Sequence, residues 1–158
     1  MNRSASPSAS NLFLADHVEL LCDSFRRLTG RELIDLSGER IEVAKQLYDA
    51  PFAVVSHDTS DDPIFNYANK KAMELFEMDW QTITQLPSRK SAEQVNREER
   101  ARLLNAVAEH GYIDDYSGVR ISSSGKRFRI EDATVWNLID NDGRHVGQAA
   151  MFAHWAFV

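Results

Sequence analysis

The sequence predicts an α+β fold: a five-stranded antiparallel sheet with crossover helices on one face and an N-terminal helical cap. Three observations predict it. Residues 116–155 read as three strand-like runs rich in Val, Ile, Thr, Phe and Trp, without proline, parted by turn signals at Ser122–Gly125 and Asn141–Gly143. Ser-Gly and Asp-Gly steps supply the positive φ of tight hairpin turns. Two shorter strand-like runs, Phe52–His57 and Ile64–Tyr67, lie upstream, and helical patterns separate them from the meander. Finally, an apolar stripe of Leu14, Val18, Leu21, Phe25 and Leu28 precedes everything at alternating spacings of four and three.

The elements follow in order. Residues 1–10 read as a disordered tail and 11–50 as the helical cap; 51–158 form the sheet domain. The first helix spans 11–28 and ends at Thr29-Gly30, with Arg26 and Arg27 in its last turn. Its stripe either packs on its own domain or forms a dimer seam through Leu14, Val18, Leu21 and Phe25. A second helix runs from about Glu39 to Tyr48, with Ser37 as its cap, and stops before Pro51. Asp58–Pro63 is a loop between the two short strands. Asn69 caps a helix through Phe76, and Trp80, Ile83 and Leu86 suit short helical turns. Ser91 and Gln94 form a capping-box signature that opens a helix ended by Gly111, with Leu103, Leu104 and Val107 on the core.

Composition narrows the function. The chain has 158 residues, one cysteine, a net charge of −6 and a pI near 5.3. One domain of this length builds a core without disulfides or metal. The acidic balance argues against nucleic-acid or anionic-membrane binding. No apolar run reaches membrane-span length, no secretory signal is present, and a lone Cys22 fits a reducing, cytoplasmic setting.

The run Ile64–Phe76, the Ser124–Phe128 turn, and the Asp142-Gly143 turn followed by Val146-Gly147 resemble a PAS domain. More narrowly, PSRKSAE (Pro87–Glu93), NREERARLL (Asn96–Leu104) and the stretch from DYSGVRISSSGKRF to GQAAMFAHW resemble the MEKHLA domain family. Those PAS-like domains occur alone in bacteria and at the C-terminus of plant homeodomain transcription factors. The resemblance implies a stand-alone sensory or regulatory module. It would bind a small molecule between sheet and crossover helices, or dimerise through the sheet and the cap, and signal through its oligomer or a separate partner protein. The alternatives are an interaction module whose core is filled by its own side chains (Phe65, Phe128, Trp136 and Phe152) and a small enzyme using the cavity.

Candidate ligand contacts come from strand alternation and from arginine chemistry. On the middle meander strand, Phe128, Ile130, Asp132, Thr134, Trp136 and Leu138 share one face, so Asp132 and Thr134 stand as polar groups in an apolar row. Alternatively a bulge swaps the faces and exposes Asp132. Gln148 and Phe152 share a face of the last strand, whose other face carries small residues such as Gly147 that admit a ligand or a packed neighbour. Arg89 and Arg120 could hold a carboxylate or phosphate, or form structural ion pairs. Among PAS cofactors, flavin–cysteine photochemistry lacks its cysteine in the crossover helices, and haem has only His110, in a helix's last turn. No metal-ligand spacing, nucleophile elbow or phosphate loop is present. The ligand's identity stays open.

Overall fold

The computed structural model describes residues 5–93 and 97–158. Its centre is an antiparallel sheet in the order β2-β1-β5-β4-β3, with β1 Ala53–His57, β2 Phe65–Ala68, β3 Tyr112–Ile121, β4 Arg127–Ile139 and β5 His145–Phe152. A sixth short strand, β6 (His154–Phe157), pairs with the first half of β4. The expected last strand is therefore broken at Ala153, and its two parts run successively along β4.

Helices cover both faces. On one lie α3 (Lys70–Phe76), α4 (Trp80–Ile83) and α5 (Arg97–His110), which bury Ala72, Phe76 and Ile83 with Phe65, Tyr116, Phe128, Ile130, Val135 and Phe152. On the other lie α1 (Ala15–Thr29) and α2 (Arg40–Tyr48), which bury Val18, Leu21, Phe25, Ala44 and Leu47 against Val54, Tyr67, Trp136, Leu138 and Ala149.

Two bulges let one sheet serve both cores. In β4, Glu131 and Asp132 both lie opposite the single residue Ser117, and Asp132 adopts φ 52°. Phe128 and Ile130 thus face the crossover helices, whereas after the bulge Ala133 and Val135 take that face and Trp136 and Leu138 turn to the cap. In β2, Asn66 is the extra residue: Ser56 pairs with Tyr67 and His57 with Phe65. Phe65 consequently points to the crossover side and Tyr67 to the cap side.

The N-terminus departs from the expected helix. Helix α1 begins at Ala15, and Leu12, Phe13 and Leu14 form a left-handed turn with φ of 57°, 53° and 55°. Each such L-residue costs roughly 1–2 kcal/mol. Side chains impose the turn against the local propensity. Asn11 Oδ1 accepts from Ser8 N at 2.9 Å, and its Nδ2 donates to the carbonyls of Ala5 (3.3 Å) and Ser6 (3.0 Å). The Phe13 ring meets the Tyr48 ring at 6.3 Å, and both Phe13 and Leu14 pack on the cap core.

Other boundaries shift for local reasons. Helix α2 opens at Arg40 without a side-chain cap; Ser37 instead donates its N–H to Asp35 Oδ1 at 3.0 Å. Ser91 closes a 3-10 turn, Ser88–Ser91, by donating its hydroxyl to the Ser88 carbonyl at 2.7 Å. Gln94, its expected capping partner, lies outside the described residues. Leu104 points outward, while Leu103 and Val107 pack on the crossover core.

One polar lock ties α3 to the β3–β4 hairpin. Glu77 takes φ 56° just after α3. Its carboxylate accepts from the hydroxyls of Ser124 and, at 2.7 Å, Ser122, with Lys126 Nζ at 3.4 Å. The Ser124 and Ser122 hydroxyls foremost, with Lys126, hold its pKa down to about 2 from 4.5. The folded pKa is depressed, so the stabilisation is complete above pH 4.5 and is lost as pH falls towards 2. Glu77→Gln is therefore expected to flatten the fall in melting temperature across that acid window and to leave the neutral-to-pH-5 slope unchanged, as calorimetry at stepped pH would register.

Candidate functional site

The residues singled out on the sheet do not converge. Asp132, expected in the pocket, is exposed at the β4 bulge, because the extra residue turns it away from both cores. Trp136, with Thr134 on its face, looks to the cap, not to the crossover helices. Its indole Nε1 donates to the Leu21 carbonyl at 3.2 Å, and Phe25 meets it edge-on at 4.9 Å. Phe152 is buried on the opposite, crossover side. Gln148 is half-buried and donates Nε2 to Asn137 Oδ1 of the facing strand at 3.3 Å. Gly147 serves packing: a Cβ there would lie 2.5 Å from the His57 carbonyl oxygen of β1.

The arginines are placed structurally. Arg89 is exposed and donates Nε to both carboxylate oxygens of Asp62, at 3.0 and 3.2 Å. Arg120 is half-buried with its guanidinium over the Tyr116 ring, 5.8 Å from the centroid. The expected seam residues Val18, Leu21 and Phe25 are buried on the chain's own sheet, with Leu14 partly covered, so their stripe is the inner face of the cap and no free dimer seam.

The space between sheet and crossover helices is filled by aromatic rings. Phe76 lies 6.4 Å from Phe65 and 5.3 Å from Phe128, and Phe128 and Phe152 are essentially inaccessible. His110, the one haem candidate on a crossover helix, is exposed at the end of α5 beside Glu109. Cys22 is buried under the cap, where burial first, then Asp23 and Glu19, pushes its thiol up to about 12. It is an unreactive packing group. Among the described residues no cluster of three or more His, Cys, Asp or Glu side chains could hold a metal, and no helix is long and apolar enough to cross a membrane.

A cavity of about 370 Å³ opens instead at the edge of the cap, lined by Asn11, Leu12, Leu14, Ala15, Asp16, His17 and Asn66. The left-handed turn forms one wall, the first turn of α1 another, and the β2 bulge the third. At its base His17 Nε2 lies 2.9 Å from Ser56 Oγ, which lies 2.5 Å from Asn66 Oδ1. The His17 ring stacks on Tyr67, 5.5 Å between centroids and 26° between planes. Burial lowers the His17 pKa to about 4, so the imidazole is neutral at physiological pH. Such an imidazole is a weak general base, and Ser56 is not poised as a nucleophile by it. Sequence reasoning missed this site: His17 carries no motif of its own, and nothing local shows that a bulge at Asn66 meets it.

Behind the stack, Tyr67 is fully buried and its hydroxyl has no partner among the described residues. Burial foremost, with Tyr48 and Cys22 nearby, raises its pKa, so it stays protonated. Tyr67→Phe is expected to stabilise the fold by about 1 kcal/mol, the penalty of an unpaired buried hydroxyl. Urea unfolding would show it, and a loss of stability would reveal a hidden partner for the phenol.

Comparison with known proteins agrees with the architecture. The profile of the MEKHLA domain matches residues 15–157, so the match includes α1 as well as the sheet. Homeobox-leucine zipper protein HOX9 of Oryza sativa subsp. indica is 26% identical over 141 residues, covering 87% of this chain and 16% of that protein. Homeobox-leucine zipper protein ATHB-14 of Arabidopsis thaliana is 26% identical over 159 residues, 97% of this chain and 18% of that protein. The chain thus spans about a sixth of the length of these curated relatives. Among solved structures, the PAS domain of a protein from Colwellia psychrerythraea superposes with a TM-score of 0.60 at 16% identity, over 74% of this chain and 94% of that one. An RNA-binding light-oxygen-voltage receptor gives a TM-score of 0.61 at 20% identity, over 75% of this chain and 34% of that one. These likenesses establish a PAS fold.

Proposed function

The chain belongs to the MEKHLA domain family, and we propose that it is a sensory or regulatory module whose ligand enters beneath the N-terminal cap and not between the sheet and the crossover helices. One contrast carries this reading. The crossover side is packed with its own phenylalanines, whereas the cap side presents an open cavity of mixed polar and apolar lining, bordered by a strained turn. A ligand there touches Leu12 and Leu14 on one side and Asn66 on the other, so occupancy favours one setting of the turn against the sheet. The signal then passes to a separate partner, or to a second copy, through the surface of the cap.

Native mass spectrometry of protein purified without added cofactor tests it. The expected spectrum shows the chain plus a small mass, which Asn66→Leu removes while the circular dichroism spectrum is retained. A bare chain in both preparations overturns it. The filled crossover core favours the second reading, a protein-interaction module without a ligand, and a bare dimer in that spectrum would support it.

A further inference from the structure

Resting on the cap cavity as the ligand site, we infer that it takes a neutral group presenting one hydrogen-bond donor beside one acceptor: a carboxamide, a lactam or the edge of a nucleobase. The argument is one of proton counting. His17, Ser56 and Asn66 form a chain joined by a single hydroxyl. Ser56 has one proton to give. When it goes to Asn66 Oδ1, the hydroxyl accepts from His17 Nε2–H. Imidazole Nδ1 is then a bare acceptor, and the Asn66 NH₂ a spare donor. When the amide is turned round and the hydroxyl donates to His17 Nε2, Nδ1 carries the proton and Asn66 offers its oxygen. Either arrangement leaves exactly one residue of the pair as donor and the other as acceptor.

Both free functions belong to residues that line the cavity. Neither Asn66 nor His17 has a further side-chain hydrogen bond among the described residues, and neither contributes a sealed, unpaired polar atom. A carboxylate can only accept, so it would set its lone pairs against one of the two in every arrangement. An ammonium group can only donate, with the converse conflict. No cationic side chain lines the cavity to hold an anion, and Asp16 at the rim is already engaged by Arg40. Leu12, Leu14 and Ala15 supply an apolar wall for the flat body of the ligand. An amide-like edge satisfies both polar positions at once, because the Asn66 amide can turn to match it.

A matched trio of probes tests the inference: benzamide, benzoate and benzamidine share a ring and differ in the neutral, anionic or cationic head. In nuclear magnetic resonance titrations at neutral pH, benzamide is expected to shift the Asn66 side-chain amide and His17 ring signals, with affinity at least about tenfold above the other two. Asn66→Asp is expected to lose benzamide and to gain benzamidine. Tighter binding of benzoate or benzamidine to the wild-type chain overturns the ligand class while leaving the cavity as the binding site. Silence of all three at these signals, with a purified adduct still lost in Asn66→Leu, also overturns the class alone. Silence together with a bare chain overturns the class and the site. Should Asn66→Asp fail to fold, the wild-type trio decides.

Discussion

Asn69→Leu is expected to destabilise the protein by about 4 kcal/mol. Its amide is fully buried and uses every function it has. Oδ1 accepts from Val54 N at 3.0 Å and from Ala72 N at 3.1 Å; Nδ2 donates to the Leu47 carbonyl at 3.0 Å and the Phe52 carbonyl at 2.8 Å. One side chain thereby caps α3, holds the end of α2 and fixes the start of β1. Leucine is close in size but takes their partner from the Val54 and Ala72 N–H groups and the Phe52 carbonyl, each costing about 1–3 kcal/mol where no water replaces it, while the Leu47 carbonyl keeps its bond from Ala50 N. For a chain of this length the melting temperature is expected to fall by about 10 °C. Asn69→Asp keeps the acceptor for the helix cap but faces two carbonyls with a carboxylate, so it should restore only part of the loss. Urea unfolding of both variants checks the order; a stable Asn69→Leu protein would mean that the three segments hold together without this amide.

Trp136→Ala is expected to cost about 3–5 kcal/mol, the usual range for emptying a fully buried aromatic site. The effect should be directional. The indole packs between the sheet and α1: it donates to the Leu21 carbonyl and meets Phe25 at a steep angle, while Ser24 ties the same helix to Ile139 further along β4. Its loss should therefore release the cap before the sheet unfolds. Limited proteolysis is expected to cut within residues 15–50 while a fragment of the remaining chain persists. Trp136→Phe, which keeps one aromatic ring but gives up the N–H and part of the indole's volume, should lose about 2 kcal/mol and keep the cap protected. Simultaneous cleavage across the sheet in Trp136→Ala would show that cap and sheet form one cooperative unit.

The elements of this fold were largely legible because most carry local signals. The Ser122–Gly125 and Asn141–Gly143 turns, the Asn69 cap and the Gly30 stop lie where sequence chemistry puts them, with Gly30, Gly125 and Gly143 all at positive φ. What escaped was facing. Period-two alternation puts Asp132 and Trp136 on one face unless a bulge intervenes; the Glu131-Asp132 bulge is that alternative and reverses the order after it, but no residue type announces which of the two holds. A second reversal at Asn66 is why the candidate site lies under the cap. The left-handed turn was illegible for a related reason. Asn11-Leu12-Phe13-Leu14 has ordinary helical propensity, and what overrules it is the Asn11 side chain's local bonds to Ser6 and Ser8 together with the tertiary contact of Phe13 with Tyr48.

That turn also sets a clock. Its three left-handed residues give back conformational energy when they leave the folded arrangement, and Leu12, 52% exposed, gives up little packing in doing so. Phe13 and Leu14 stay anchored on the cap core, so opening at the lip is expected to centre on Leu12 and to cost less than release of α1. Under the proposed ligand site, residence time is expected to follow this local opening and not the stability of the domain. A molecule held beneath the turn could leave many times within the life of one folded chain, and Leu12→Gly, which relieves the strain at one residue, should lengthen its stay.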